Sequence, residues 1–153
     1  MTAIDGDIRV AQWLGGVHDR DQTRAQIASW VAHWDLHGFG QWAVEERATA
    51  QLVGRAGLTH HNDWKASSLD AEIGWALAHS AWGRGYATEA AQAVLEWVRG
   101  RPNLKTIISI TRPDNVRSRR VMEKLGLTYR GEATWHGSHQ VWYDNLVTPE
   151  GDG

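Results

Sequence analysis

Trp82-Gly83-Arg84-Gly85-Tyr86-Ala87-Thr88-Glu89-Ala90-Ala91 sets two glycines between an apolar strand-like segment, Glu72-Ile73-Gly74-Trp75-Ala76-Leu77, and a helix-like one. In the second segment Ala87, Ala90, Ala91, Val94, Leu95 and Val98 recur at helical spacing along one face. Glycine at 83 and 85 removes the Cβ atoms that would hold an anion away from the backbone, so the N–H groups of residues 83 to 87 can turn towards one oxyanion. The helix N-terminus adds partial positive charge, and the layout is that of a phosphate-binding turn. A Walker loop would need Lys-Ser or Lys-Thr after its last glycine, and neither is present. A dinucleotide fingerprint would need Gly or Ala where Thr88 stands, and an acidic residue closing the next strand.

Outward from this turn, the chain reads as alternating elements. A short helix over 5–14 ends at Gly15-Gly16, and a second is capped by Asp19 or Asp21 and stops at Gly38. Thr23, Ile27, Trp30, Val31 and Trp34 form the apolar stripe of that second helix. Strands follow over 40–45, 52–59 and 69–77, the first two antiparallel across a short polar turn. A helix over 86–99 leads to a β-branched strand, 106–111, whose crossover connection favours parallel pairing beside 69–77. A helix over 115–125 stops at Gly126, and strands 127–135 and 139–147 turn at Gly137-Ser138.

Composition sets the limits. The 153 residues suit one domain, 1–153, with an ordinary core. A net charge of −2 gives no electrostatic reason to expect nucleic acid or an anionic membrane. Without cysteine there is no disulfide, thiolate nucleophile or Cys-ligated zinc. No apolar run is long enough to span a bilayer and no cleavable signal pattern begins the chain, so a cytoplasmic location is expected. Ten tryptophans outnumber the three tyrosines and one phenylalanine; they are read as core or groove-lining groups, the core reading preferred.

A second motif follows the first in order: Pro113-Asp114-Asn115-Val116-Arg117-Ser118-Arg119-Arg120-Val121-Met122-Glu123-Lys124-Leu125-Gly126-Leu127. Together the two motifs resemble those of the GCN5-related N-acetyltransferases (GNAT), in particular the branch of the ribosomal-protein alanine N-acetyltransferases, over nearly the whole chain. The resemblance implies an α/β (α+β) fold: a central, mixed, mostly antiparallel sheet with a splayed parallel strand pair, flanked by about four helices. It implies acetyl transfer from acetyl-coenzyme A, without a metal, directly to a primary amine on a protein N-terminus or a small molecule. A catalytically silent acyl-CoA-binding module with the same fold is the alternative. Relative to the family pattern the first strand is missing: either the sequence begins at an internal Met or the strand is lost, and loss would leave a sheet edge that another chain, a loop or charged side chains would need to cover. A homodimer is one such arrangement.

The resemblance also distributes roles. Trp82, Gly83, Arg84, Gly85, Tyr86, Ala87 and Thr88 would hold the pyrophosphate end, although the family's turn commonly starts with Gln or Arg where Trp82 stands. Leu77 and Ala78 lie where a backbone N–H would steady the oxyanion, Asn115 lies near the pantetheine arm, and Arg119, with Arg84, supplies charge for the phosphates. Asn115 also suits a helix cap. Many family members place a Tyr where Met122 stands, and Met donates no proton. Ser118 is therefore the candidate acid for the departing sulfur, and Glu72 the candidate base for the amine. Of the histidines, the His33/His37 pair lacks a third metal ligand, and His61 or His136 is placed to assist the amine.

Overall fold

In a computed structural model the described residues are 1–146. The order of elements is α1 (Thr2–Asp5), α2 (Ile8–Ala11), α3 (Arg20–His37), β1 (Gln41–Glu46), β2 (Gln51–Thr59), β3 (Ala71–Leu77), a 3-10 turn (His79–Ala81), α4 (Tyr86–Val98), β4 (Ile107–Thr111), α5 (Val116–Lys124), β5 (Thr128–Trp135) and β6 (Ser138–Asp144). The strands form one sheet in the order β1-β2-β3-β4-β6-β5, antiparallel except for β3 beside β4. This is the mixed, mostly antiparallel α/β architecture expected from the sequence. The end of the expected strand 139–147 lies outside the described residues.

Two expectations need correction. The single helix over 5–14 is two single-turn helices, because Asp7 adopts an extended conformation and its carboxylate accepts the Arg9 N–H at 3.0 Å, capping a new start. The stripe of α3 is mostly not buried: Thr23 is, but Ile27 is 40% and Val31 57% exposed. This helix is fixed instead by its ends and rim. Asp19 and Gln22 make a reciprocal capping box, and Gly38 closes the helix at φ 74°. Trp34 donates its indole N–H to the Gln41 carbonyl at 2.9 Å. That carbonyl points away from β2 on the open side of β1, so the indole covers part of the sheet edge.

The core lies on one sheet face, where Ala56 and Leu58 of β2 and Ala71 and Ile73 of β3 meet Ala91, Val94 and Val98 of α4. Each fully buried Leu or Ile contributes roughly 1.5–3 kcal/mol. The opposite face of β1–β3 presents Gln41, Arg55, Thr59 and Glu72, as cross-strand pairing of Gln41 with Gly57, Arg55 with Ala76 and Thr59 with Glu72 requires. The tryptophans divide between core and groove: Trp64 is buried, Trp42, Trp75 and Trp97 are half-buried against the core, and five of the nine half-buried ones line a cleft.

That cleft begins where β3 and β4 part. Their register holds only at Ala71 with Ile107 and Glu72 with Ile108. Asp70 clamps the closed end, one carboxylate oxygen accepting the N–H groups of Lys105 and Thr106 at 2.7 Å each. Asn145 fastens the next strand, accepting from Ile107 N–H at 2.9 Å and donating its own N–H to Ile107 O at 3.1 Å. Beyond Ser109, whose hydroxyl reaches Ile73 O at 2.9 Å, the strands separate.

Candidate active site

The opening between β3 and β4 leads into a cleft of about 1030 Å³. One half is lined by the glycine turn and α5, the other by the polar sheet face, α3 and the β5–β6 hairpin.

In the glycine turn Gly83 and Gly85 have φ values of 73° and 79°, the left-handed region that favours glycine, and a Cβ at either would meet nothing within 4 Å. The first bond into α4 runs from Glu89 N–H to Gly85 O at 3.0 Å, and no side chain caps the helix. Among the described residues the N–H groups from Gly83 to Thr88 therefore donate to no protein acceptor. This cradle fits a pyrophosphate.

The splay fits an extended arm in the same way. Ala78 N–H donates to Val53 O at 2.8 Å, so residues 53 and 78 form a hydrogen-bonded pair of the ladder and Leu77, opposite Gly54, a non-bonded one. Leu77 and Trp75 consequently aim their backbone groups away from β2, into the gap. Of the two candidates for an oxyanion donor, Leu77 N–H is thus directed at the cleft, whereas Ala78 N–H is committed to Val53 and Ala78 does not line the cleft. Trp82 donates its indole N–H to Leu77 O at 3.0 Å and lies under the Arg117 guanidinium at 4.5 Å. Its work is to bind the mouth of the splay to the turn.

The other expected residues divide between cleft and scaffold. Tyr86, Ala87, Thr88, Asn115 and Ser118 line the cleft. The Asn115 carboxamide caps α5 through Ser118 N–H at 3.3 Å, while the Ser118 hydroxyl makes no hydrogen bond among the described residues. Arg84 instead pairs with Glu46 at 3.0 Å and does not line the cleft. Tyr86 donates to the same carboxylate at 2.8 Å. The Tyr86 hydroxyl foremost, with Arg84, holds the Glu46 carboxyl below its ordinary pKa, and the same hydrogen bond to Glu46 pushes that of Tyr86 up. Arg119 also turns away, donating to Tyr143 Oη at 3.0 Å and Pro113 O at 2.9 Å. At 100° per residue the face of α5 towards the cleft carries Arg117, Arg120 and Lys124 instead.

On the sheet side His61 Nε2 lies 2.7 Å from Glu72 Oε1, both side chains 18% exposed. The His61 ring meets Trp135 edge-on, and Trp135 stacks on His136, which pairs with Asp63. Sequence reasoning singled out Glu72 and His61 separately; no local signal joins residues on different segments. It missed Arg55, Gln41, Thr59 and Trp135, although a long cationic side chain in the middle of an otherwise small and apolar strand, Leu52-Val53-Gly54-Arg55-Ala56-Gly57-Leu58, was a visible clue. His33 is a scaffold group, its Nδ1 2.8 Å from Phe39 O and its Nε2 accepting from His60 N–H at 3.0 Å. Burial lowers the pKa of the adjacent His37. Among the described residues no group of three metal-ligating side chains is placed to hold an ion.

The family model for the acetyltransferase (GNAT) domain matches residues 1–128, and the chain belongs to that family. It is an acetyl-CoA-dependent acetyltransferase, with acetyl-CoA as co-substrate. YkkB, an uncharacterized protein of Bacillus subtilis (strain 168), is 30% identical over 128 residues, 80% of this chain and 70% of that one. Among solved structures, an acetyltransferase from Agrobacterium tumefaciens is similar with TM-score 0.79 and 27% identity, covering 95% of this chain and 82% of its own. Aminoglycoside acetyltransferase AAC(6′)-Ib, solved in complex with coenzyme A, is similar in fold with TM-score 0.78 at 18% identity, covering 95% and 86%.

Proposed function

We propose that this chain transfers the acetyl group directly to the primary amine of a small molecule or a protein N-terminus, with Glu72 and Ser118 on opposite sides of the exchange. The 2.7 Å contact between His61 and Glu72 on the acceptor side of the cleft carries the reading. A carboxylate held against an imidazole fixes the ring's tautomer and offers a proton sink of two coupled groups. The amine, losing its proton to this pair, attacks the thioester carbon; the C–S bond breaks, and the Ser118 hydroxyl is placed to hydrogen-bond the departing sulfur. Leu77 N–H is the backbone donor for the charge that develops on the carbonyl oxygen. The N–H groups of residues 83–88 hold the pyrophosphate, and Arg117, Arg120 and Lys124 surround the nucleotide end.

Calorimetry with acetyl-CoA and thiol release over a panel of amines test this together. Wild type binds and releases thiol. Glu72→Gln keeps the affinity for coenzyme A and lowers kcat by roughly 10²–10⁴, and Ser118→Ala lowers kcat with the affinity likewise unchanged. Binding without release on any amine would instead make the chain a silent acyl-CoA-binding module.

A further inference from the structure

Among the described residues the buried side-chain nitrogens Arg55 Nε and Arg112 Nε make no hydrogen bond, and both residues line the cleft, whereas the Trp135 indole has the Asp63 carboxylate beside it. Each of these two nitrogens is a donor only. Arg112 has partial compensation from Asp114 at 3.5 Å. Arg55 does not: among the described residues its one polar contact runs from Nη1 to Gln41 Oε1 at 3.1 Å, and no carboxylate lies within 4.0 Å. Its guanidinium sits 4.8 Å from the centre of the Trp30 ring. Asp5 stands across a separate void of about 30 Å³, room for one water, and is bonded by the Thr23 hydroxyl at 3.3 Å.

Arg55 shares a polar row with the proposed base, Glu72. Gln41, which accepts from Arg55, donates to Thr59 Oγ1 at 3.2 Å, and Thr59 is directly opposite Glu72. Between the two ends of the row Gly74 lines the cleft, and a Cβ there would meet nothing within 4 Å, while Gly57 opposite it packs tightly against the β1 backbone. The sheet face of the chamber therefore has an open glycine, Gly74, with a cation at one end of the row and a carboxylate at the other. Among the described residues Glu72 is also the only acidic one lining the cleft, whereas five Arg and Lys residues line it. A polyamine or aminoglycoside would bring several ammonium groups to one carboxylate.

We infer that the acceptor is an amino acid, whose amine lies at Glu72 and His61 and whose carboxylate is taken by Arg55. This rests on the transferase reading above. The acceptor nitrogen bonds to the acetyl carbon as the C–S bond breaks, its proton passing to the Glu72–His61 pair and coenzyme A leaving with a proton. The carboxylate is unchanged and serves only to position.

Thiol release with acetyl-CoA is measured on matched sets: α-, β- and γ-amino acids, their amides and their decarboxylated amines. Wild type is expected to favour the acids by about 10- to 100-fold in kcat/KM, the range for a buried charge-assisted contact. Arg55→Gln removes that preference through KM while coenzyme A affinity is unchanged, and Arg55→Lys retains part of it. Unchanged calorimetric affinity also shows that these variants are folded. Equal turnover of amides or bare amines by wild type, or a preference that survives Arg55→Gln, overturns the inference and leaves the transferase reading intact. Acetyl-CoA binding with no turnover of any amine overturns both.

Discussion

Gly85 shows how much chemistry one backbone angle carries. Its φ of 79° turns the chain so that the first N–H groups of α4 face the cleft. A β-branched side chain resists this region, and the strain of about 1–3 kcal/mol is relieved by rotating those groups out of line. Gly85→Val should therefore weaken coenzyme A binding roughly tenfold or more in calorimetry, although the Cβ itself has open space. Glu72 and Ser118 work differently, through protons, and their variants change turnover while binding stays.

At the scale of elements, the start of α4 is tied to the end of β1. Glu46 accepts from Tyr86 and pairs with Arg84, and these partners lower its pKa below the ordinary 4.5. A carboxyl with a lowered folded pKa stabilises fully above its unfolded value and loses that contribution as pH falls through the folded value. Wild type should thus be more stable than Glu46→Gln at neutral pH, and the gap should close as pH falls below about 4.5. Thermal melts of both from pH 7 downwards check this; a gap independent of pH would remove the carboxylate from the account. The order of α4, β4 and α5 was legible from periodicity and glycine stops. The split of the first helix was not, because it turns on one Asp side chain capturing a nearby N–H.

Over the whole molecule, two half-sheets meet at a pair of strands that touch for two residues. Asp70 sets the opening of the cleft from behind, through the N–H groups of Lys105 and Thr106. Asp70→Ala leaves both donors without their carboxylate and should cost about 2–3 kcal/mol in urea denaturation. Coenzyme A affinity should fall with it, because the splay is no longer held at one width. Unchanged affinity in a destabilised variant would show that the turn alone binds.

The sequence by itself determined the glycine turn, the strand and helix that flank it, the second motif on α5 and, through them, the family and the use of acetyl-CoA. These are local properties: periodicity, capping and left-handed glycine act within a few residues of chain. Only the tertiary structure decided that Arg117, Arg120 and Lys124, not Arg84 or Arg119, face the cleft. It also decided that Ala78 N–H is occupied by Val53, that His61 reaches Glu72, and that Arg55 lines the cleft with its buried Nε unbonded. Each of these depends on the pairing register of strands or the rotation of a helix, which bring together residues from distant segments.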